Sequence, residues 1–241
     1  MANIGLIIAG GAGTRMHQDI PKQFLTVNER PVIIYTLEAF ERHEEIDALV
    51  AVCLEGWENV LDAYTRQFGI SKLKHIISGG RTEHESIRNG VFELEKYHRP
   101  DDIVLIHAAN RPLLEARVIS ECIRTTLEKG NAITSLPCIE VMIGTQDGLT
   151  ASQEYQRNAM MRTQTPQAFR LGDICSLHRR AVAAGIKDSA TSCTLMIEMG
   201  ERVYFSPGSE KNIKITTVED IDIFRALLSA GRAENLKNYP G

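Results

Sequence analysis

Short β-branched apolar runs alternate with longer stretches of helical periodicity, and this alternation constrains the chain more than any other feature. Ile4 to Ile8 reads as a buried strand. Pro31 to Phe40 reads as a helix, with proline in its first turn and Ile33, Leu37 and Phe40 at helical spacing. Ala48 to Val52, His75 to Ile77, Ile103 to Ile106 and Ala132 to Leu136 read as further strands. Asn59 to Phe68, Glu83 to Tyr97 and Ala116 to Glu128 read as the helices between them. Strands joined through helices run parallel, and a parallel sheet needs cover on both faces. The expected class is α/β.

The pattern weakens between Pro137 and Gln164, where Gly144, Gly148 and polar residues interrupt shorter apolar stretches. A protruding hairpin arm at about 137–160 is expected there. Helices are predicted at about 171–184 and 189–199, and strands at Val203 to Ser206 and Ile213 to Ile215. A closing helix is predicted from about Val218, capped by Thr216 or Thr217. With no repeat and no linker, residues 1–241 are expected to form a single domain. The net charge of −4 and the lack of a Lys/Arg run argue against nucleic acid or an anionic membrane as partner. Five cysteines without a C-x-x-C pair suit a reduced cytoplasmic protein better than a zinc site or a disulfide frame. No apolar run approaches membrane-spanning length, so a soluble, unexported protein is expected.

The segment after the first strand is the most informative: Ala9-Gly10-Gly11-Ala12-Gly13-Thr14-Arg15-Met16, then Pro21-Lys22-Gln23-Phe24-Leu25. Glycines let the backbone approach a ligand closely, and successive N–H groups in such a turn form an anion-binding hollow. Arg15 and Lys22 add fixed positive charge, as a polyphosphate requires where water is excluded. A dinucleotide fingerprint fails because Met16 stands where its third glycine belongs, and a Walker A Gly-Lys-Ser/Thr is absent. The plainer reading is a glycine-rich turn at a strand end.

Five segments in order resemble the methylerythritol phosphate/ribitol phosphate cytidylyltransferase family. They are this first loop with Pro21-Lys22-Gln23-Phe24, Gly79-Gly80-Arg81 to Gly90, His107 to Pro112, Arg157 to Gln167, and Asn212-Ile213-Lys214-Ile215-Thr216. The resemblance implies a three-layer α/β/α, Rossmann-like nucleotidyltransferase fold with a mostly parallel twisted sheet. It also implies a homodimer whose arms reach the partner's site, with CTP as co-substrate, Mg²⁺ and pyrophosphate release. By position, Ala9 to Thr14 and Lys22 would hold the triphosphate, and Arg15 would stabilise charge at the α-phosphorus. Gly80 and Ser86 would lie near cytosine and ribose, with Ala109 beside the nucleotide. Lys214 would contact the α-phosphate or the alcohol phosphate. Arg157 would bind the second substrate's phosphate across the dimer, with Thr165 close by. Arg111, before Pro112, reads as a structural or a substrate-facing cation, and Lys187, where relatives often have Thr, adds a cation to meet the substrate phosphate.

The match breaks at Ala108, where the family carries the aspartate that holds Mg²⁺. An alanine side chain offers the ion no oxygen. An Asp-to-Ala replacement, a slower enzyme and a silent CTP-binding homologue are all open readings. The paired glycines of the first loop and Gln164 to Arg170 look closer to the ribitol phosphate branch. 2-C-methyl-D-erythritol 4-phosphate, or another sugar phosphate and nucleotide, are the alternatives. Glu140-Val141 replaces the family's Asp-Thr on the arm, removing a hydroxyl from reach of a polyol. The scattered histidines show no metal-ligand spacing, and His107 reads as a structural histidine after a core strand. Ser86 alone would read as helix padding, Arg157 as a solvated arginine, and Trp57 as helix-start packing.

Overall fold

The computed structural model describes residues 1–11 and 20–237, with side chains described up to residue 230. Its centre is a seven-stranded sheet in the order β11-β7-β10-β6-β1-β4-β5. These strands are β1 (Asn3–Ala9), β4 (Ala48–Cys53), β5 (Leu73–Ser78), β6 (Ile103–Ala108), β7 (Asn131–Pro137), β10 (Met161–Arg170) and β11 (Phe205–Pro207). Two small hairpins lie outside it: β2 (Thr26–Val27) with β3 (Arg30–Pro31), and β8 (Met142–Gly144) with β9 (Gln153–Tyr155). β1 pairs in parallel with β4 on one side and β6 on the other.

Why these segments are strands follows from their burial. Every residue of β4 and β6 is buried, so both faces need apolar side chains and the sequence there is apolar but for His107. Along β1, Ile7 and Ala9 point into one core with Phe40, Leu49 and Ile119, while Ile4, Leu6 and Ile8 point into the other with Val91, Ile106 and Ile174. The first face is covered by α1 (Val32–Glu41), α2 (Glu58–Gln67) and α4 (Ala116–Lys129). The second is covered by α3 (Glu83–Leu94), α5 (Leu171–Ala183) and α6 (Ser192–Glu198). Each fully buried Leu, Ile or Phe in these layers contributes roughly 1.5–3 kcal/mol. A smaller core under α7 (Val218–Lys237) joins Val27, Val32, Ile215 and Phe224.

The structure corrects two sequence expectations. Met161–Arg170 is not the tail of the irregular excursion but a ten-residue strand, antiparallel to both β6 and β7. Its polar residues and Pro166 hide it: the ladder shifts register between Thr163 and Gln167, around a cis Thr165–Pro166 peptide. Ile213 to Ile215 forms no strand. It is a loop whose bonds go singly, as when Ile215 N–H donates to the Asn110 carbonyl. Within 137–160 the structure has the β8–β9 hairpin, with Val141, Ile143 and Leu149 exposed. Among the described residues no helix is long and apolar enough to cross a membrane.

Candidate nucleotide-binding cleft

The strand order reverses at β1. The chain runs outward through β4 and β5, then returns to place β6 on β1's other side. Such a switch point opens a crevice at the carboxyl ends of the strands. There the structure has a cleft of about 270 Å³. Its floor is Ala9, Gly10 and Gly11 after β1 and Ala108 and Ala109 at the end of β6, and Gly80 and Ser86 form a wall. Lys22 and Lys214 bring two ammonium groups to it. Residues that the sequence reading drew from four separate segments therefore meet in one place. Ala12, Gly13, Thr14 and Arg15 lie outside the described residues.

The first-loop wall is shaped by close backbone approach. The Ser86 hydroxyl, buried, accepts from Gly80 N–H at 3.0 Å and donates to the Thr82 carbonyl at 2.9 Å. A Cβ on Gly10 would stand 2.7 Å from that oxygen, and one on Gly80 would stand 2.3 Å from the Glu85 Cβ. Ser86 thus holds the glycine turns together as well as facing the cleft. The buried Gln23 amide donates to the Ala9 carbonyl at 2.7 Å and the Gly11 carbonyl at 3.1 Å, so it pins the loop where it leaves β1. Sequence reasoning quoted Gln23 without giving it this role. Phe24 beside it stacks on Trp57, with ring centroids 4.7 Å apart, which fixes Trp57 as packing at the start of α2.

Ala108 sits in a second network. Burial pulls the His107 imidazole down to about 3, so it is neutral. Its Nε2 lies 3.2 Å from the Arg111 carbonyl, which can only accept, so Nε2 carries the proton. Nδ1 is then an acceptor for the Thr165 hydroxyl at 3.0 Å, and that oxygen accepts from Ala108 N–H at 3.1 Å. Thr165 therefore fixes the corner behind Ala108 and does not line the cleft. His107 is structural.

The opposite rim is held by amides. Asn212, fully buried, donates to the Thr165 carbonyl at 2.8 Å. The Gln164 side chain donates to the Ser209 carbonyl at 2.9 Å and accepts from Ser209 N–H at 3.2 Å. Asn110 donates to the Ile215 carbonyl at 2.5 Å. These ties present Lys214 from a loop. Arg111, expected to face substrate, is not among the cleft-lining residues. Its guanidinium donates to the Asn212 carbonyl at 2.5 Å, and burial pulls it down to about 10. It braces the loop from behind.

Two expected substrate residues lie away from the cleft within the chain. Arg157 is on the arm and donates to the Ile139 carbonyl at 3.3 Å. Lys187 lines an open depression next to the cleft, with Arg81 and Arg88. Arg81 and Thr82 border both. The one carboxylate among the described cleft residues is Glu83, and no trio of His, Cys, Asp or Glu side chains is grouped for a metal among the described residues. Mg²⁺ demands octahedral oxygen ligation, with one or two carboxylates as its usual protein anchors. With Ala108 in place, the described donor set does not fit a magnesium ion held by the protein.

A family model described as IspD, 2-C-methyl-D-erythritol 4-phosphate cytidylyltransferase, matches residues 4–230. The chain is 44% identical over 225 residues to a ribitol-5-phosphate cytidylyltransferase of Lacticaseibacillus paracasei, covering 92% of this chain and 96% of the relative. It is 39% identical to a protein of the same description from Vibrio parahaemolyticus, covering 98% and 99%. A 2-C-methyl-D-erythritol 4-phosphate cytidylyltransferase of Clostridium novyi is 33% identical, covering 98% of each. Among solved structures, a 4-diphosphocytidyl-2C-methyl-D-erythritol synthase superposes with a TM-score of 0.78 at 26% identity, covering 94% of this chain and 98% of that one. Another, from Anaerococcus prevotii, gives 0.80 at 22% identity and supports the fold.

Proposed function

The chain belongs to the 2-C-methyl-D-erythritol 4-phosphate cytidylyltransferase family, and on that premise we propose that it transfers a cytidylyl group from CTP to a phosphorylated polyol, with ribitol 5-phosphate as acceptor. The acceptor follows the two most similar relatives cited above. The observation that carries the reading is the cleft at the strand switch point, with a glycine turn on one side and Lys22 and Lys214 facing it.

In this reading an acceptor phosphate oxygen attacks the α-phosphorus of CTP in line. A new P–O bond forms as the bond to the bridging oxygen of the β-phosphate breaks, and its electron pair leaves with pyrophosphate. The attacker is already an anion, so no general base is needed. The neutral, buried His107 suits that requirement. The chain's own task is to bring anions together and neutralise the charge that builds up. The first loop and Lys22 cradle the triphosphate, and Arg15 belongs to the same group. Lys214 meets the α-phosphate from the opposite rim, and Lys187 and the partner's arm with Arg157 receive the acceptor. The divalent cation implied by the family is proposed to enter on the triphosphate, since the described residues offer it little, and no step is assigned to it.

A homodimer is part of the reading. The arm's two strands have three residues each and leave Val141 71% and Ile143 62% exposed. An isolated hairpin of this size is marginal in water, which favours a second copy as its support. Residues 1–241 would act as one nucleotidyltransferase domain, in the cytoplasm, where five free buried thiols are at home.

The test is pyrophosphate release from CTP with a panel of phosphorylated alditols, on this chain and on Ala108→Asp. Ribitol 5-phosphate is expected to give the highest rate, and the variant is expected to turn over at least tenfold faster. Binding of CTP with no release from either protein favours the silent homologue, the reading that Ala108 itself motivates. Equal binding of CTP, UTP, GTP and ATP contradicts the cytidylyl assignment.

A further inference from the structure

Glu83 is the first residue of α3, and its carboxylate oxygen lies 4.0 Å from the Lys214 ammonium, across the cleft. The two come from distant parts of the chain and meet only here. The same carboxylate also acts on the buried Arg111 guanidinium, whose charge it favours against the pull of burial. Glu83 thus faces the two cations of the side-chain-tethered rim.

An acid in the first turn of a helix has an ordinary explanation, because it complements the positive end of the helix dipole. Glu85, in the same turn, shows what that role looks like. It accepts from Arg81 N–H at 2.8 Å and pairs with the Arg81 and Arg88 side chains, and it does not line the cleft. Glu83 instead lines the cleft and directs its charge at Lys214, the ammonium that the proposed reading gives to a phosphate. A carboxylate and a phosphate cannot share one ammonium without mutual repulsion.

We propose that Glu83 is a built-in stand-in for phosphate: it holds Lys214 in place while the cleft is empty and gives it up when a phosphorylated ligand arrives. The inference rests on the proposed nucleotide site for its choice of ligand, but its physical content concerns any polyphosphate. Glu83 is accordingly a positioning residue that tunes anion affinity through Lys214. The arrangement keeps the lysine ordered and lowers the affinity of the Lys214 rim for phosphate.

The test is a double-mutant cycle read by calorimetry, with inorganic tripolyphosphate and CTP as probes in the absence of divalent cations. The proteins are the full chain, Glu83→Gln, Lys214→Ala and the double variant. Glu83→Gln is expected to tighten tripolyphosphate binding about 3–10-fold, the scale of one partly exposed charge pair, and the gain is expected to vanish in the Lys214→Ala background. Unchanged or weaker binding in Glu83→Gln overturns the proposal, as does the same gain with and without Lys214. Should Glu83→Gln fold poorly, Glu83→Asp withdraws the carboxylate by one methylene and is expected to give a smaller gain of the same sign. Coupling seen with tripolyphosphate but no preference for CTP over other nucleotides upholds Glu83's role and removes the cytidylyl reading. No binding of either probe to the unaltered chain removes both.

Discussion

The two rims of the cleft are built by different means. One, at Ala9 to Gly11 and Gly79-Gly80, is made of backbone: parallel ladders end there, and glycines let the turns close on Ser86. The other, from Ser209 to Ile215, has no ladder. It is suspended from the buried amides of Gln164, Asn212 and Asn110 and from Arg111. A backbone wall gives fixed N–H groups for a ligand whose charge is always in the same place. A tethered loop gives one mobile-ended lysine a defined stem. In the proposed reading, the polyphosphate end and the reacting end of a nucleotide would call for these two qualities respectively.

The largest expected effect separates charge from scaffold. Lys214→Ala should lower kcat/KM by about 10²–10³-fold, in line with loss of one preorganised group at a developing charge, while the melting temperature stays within about 1 °C. A comparable loss of stability would mean that Lys214 supports its loop and that the two rims are not distinct in kind. Asn212→Ala comes next. Removing a fully buried amide that donates to the Thr165 carbonyl should cost about 1–3 kcal/mol, seen as a lower denaturation midpoint, with turnover falling in parallel. Gln23→Ala probes the other rim on the same scale. It takes the side-chain donor from the Ala9 carbonyl, in a buried bond, and from the Gly11 carbonyl, in a part-buried one. About 1 kcal/mol is therefore expected, and KM for CTP should rise more than kcat falls.

The last effect is one of pH. Burial depresses the His107 imidazole to about 3 and the His178 imidazole to about 4, against 6.5 for an unperturbed histidine. Neutral histidine is favoured in the folded chain, so this stability is complete above about pH 6.5 and is lost as pH falls toward 4, while the unfolded chain takes up protons. Between pH 6.5 and 5, before carboxylates titrate, each group should cost up to about 1.4 kcal/mol per pH unit. A flat denaturation midpoint over that interval would show that neither ring is as secluded as the structure places it.

The same division decides what could be read from residues alone. β1, β4 and β6 announce themselves because sheet and helices bury both their faces, leaving little room for polar residues. The glycine turn is legible because few side chains tolerate such approach. β10 is obscured because Gln164, Thr165 and Gln167 spend their polarity on neighbours: Gln167, for example, accepts from Cys193 N–H at 3.1 Å. Ile213-Lys214-Ile215 alternates like a strand, yet a two-residue period records only that alternate side chains are buried, not that a ladder exists. The sequence neighbours of Arg111 do not reveal that its guanidinium bonds the Asn212 carbonyl. Thr165 and Glu83 act through partners far away in the chain, where no local pattern points.

The five cysteines give the molecule a built-in gauge of its own integrity. All are free and buried, and burial pushes Cys53, Cys122 and Cys175 up to about 12. Only a thiolate attacks an alkylating dye, so these three sulfurs stay silent near neutrality until the layers around the sheet come apart. Labelling rate then reports opening of the fold in the same tube in which turnover is assayed, and an inactive variant can be told at once from an unfolded one.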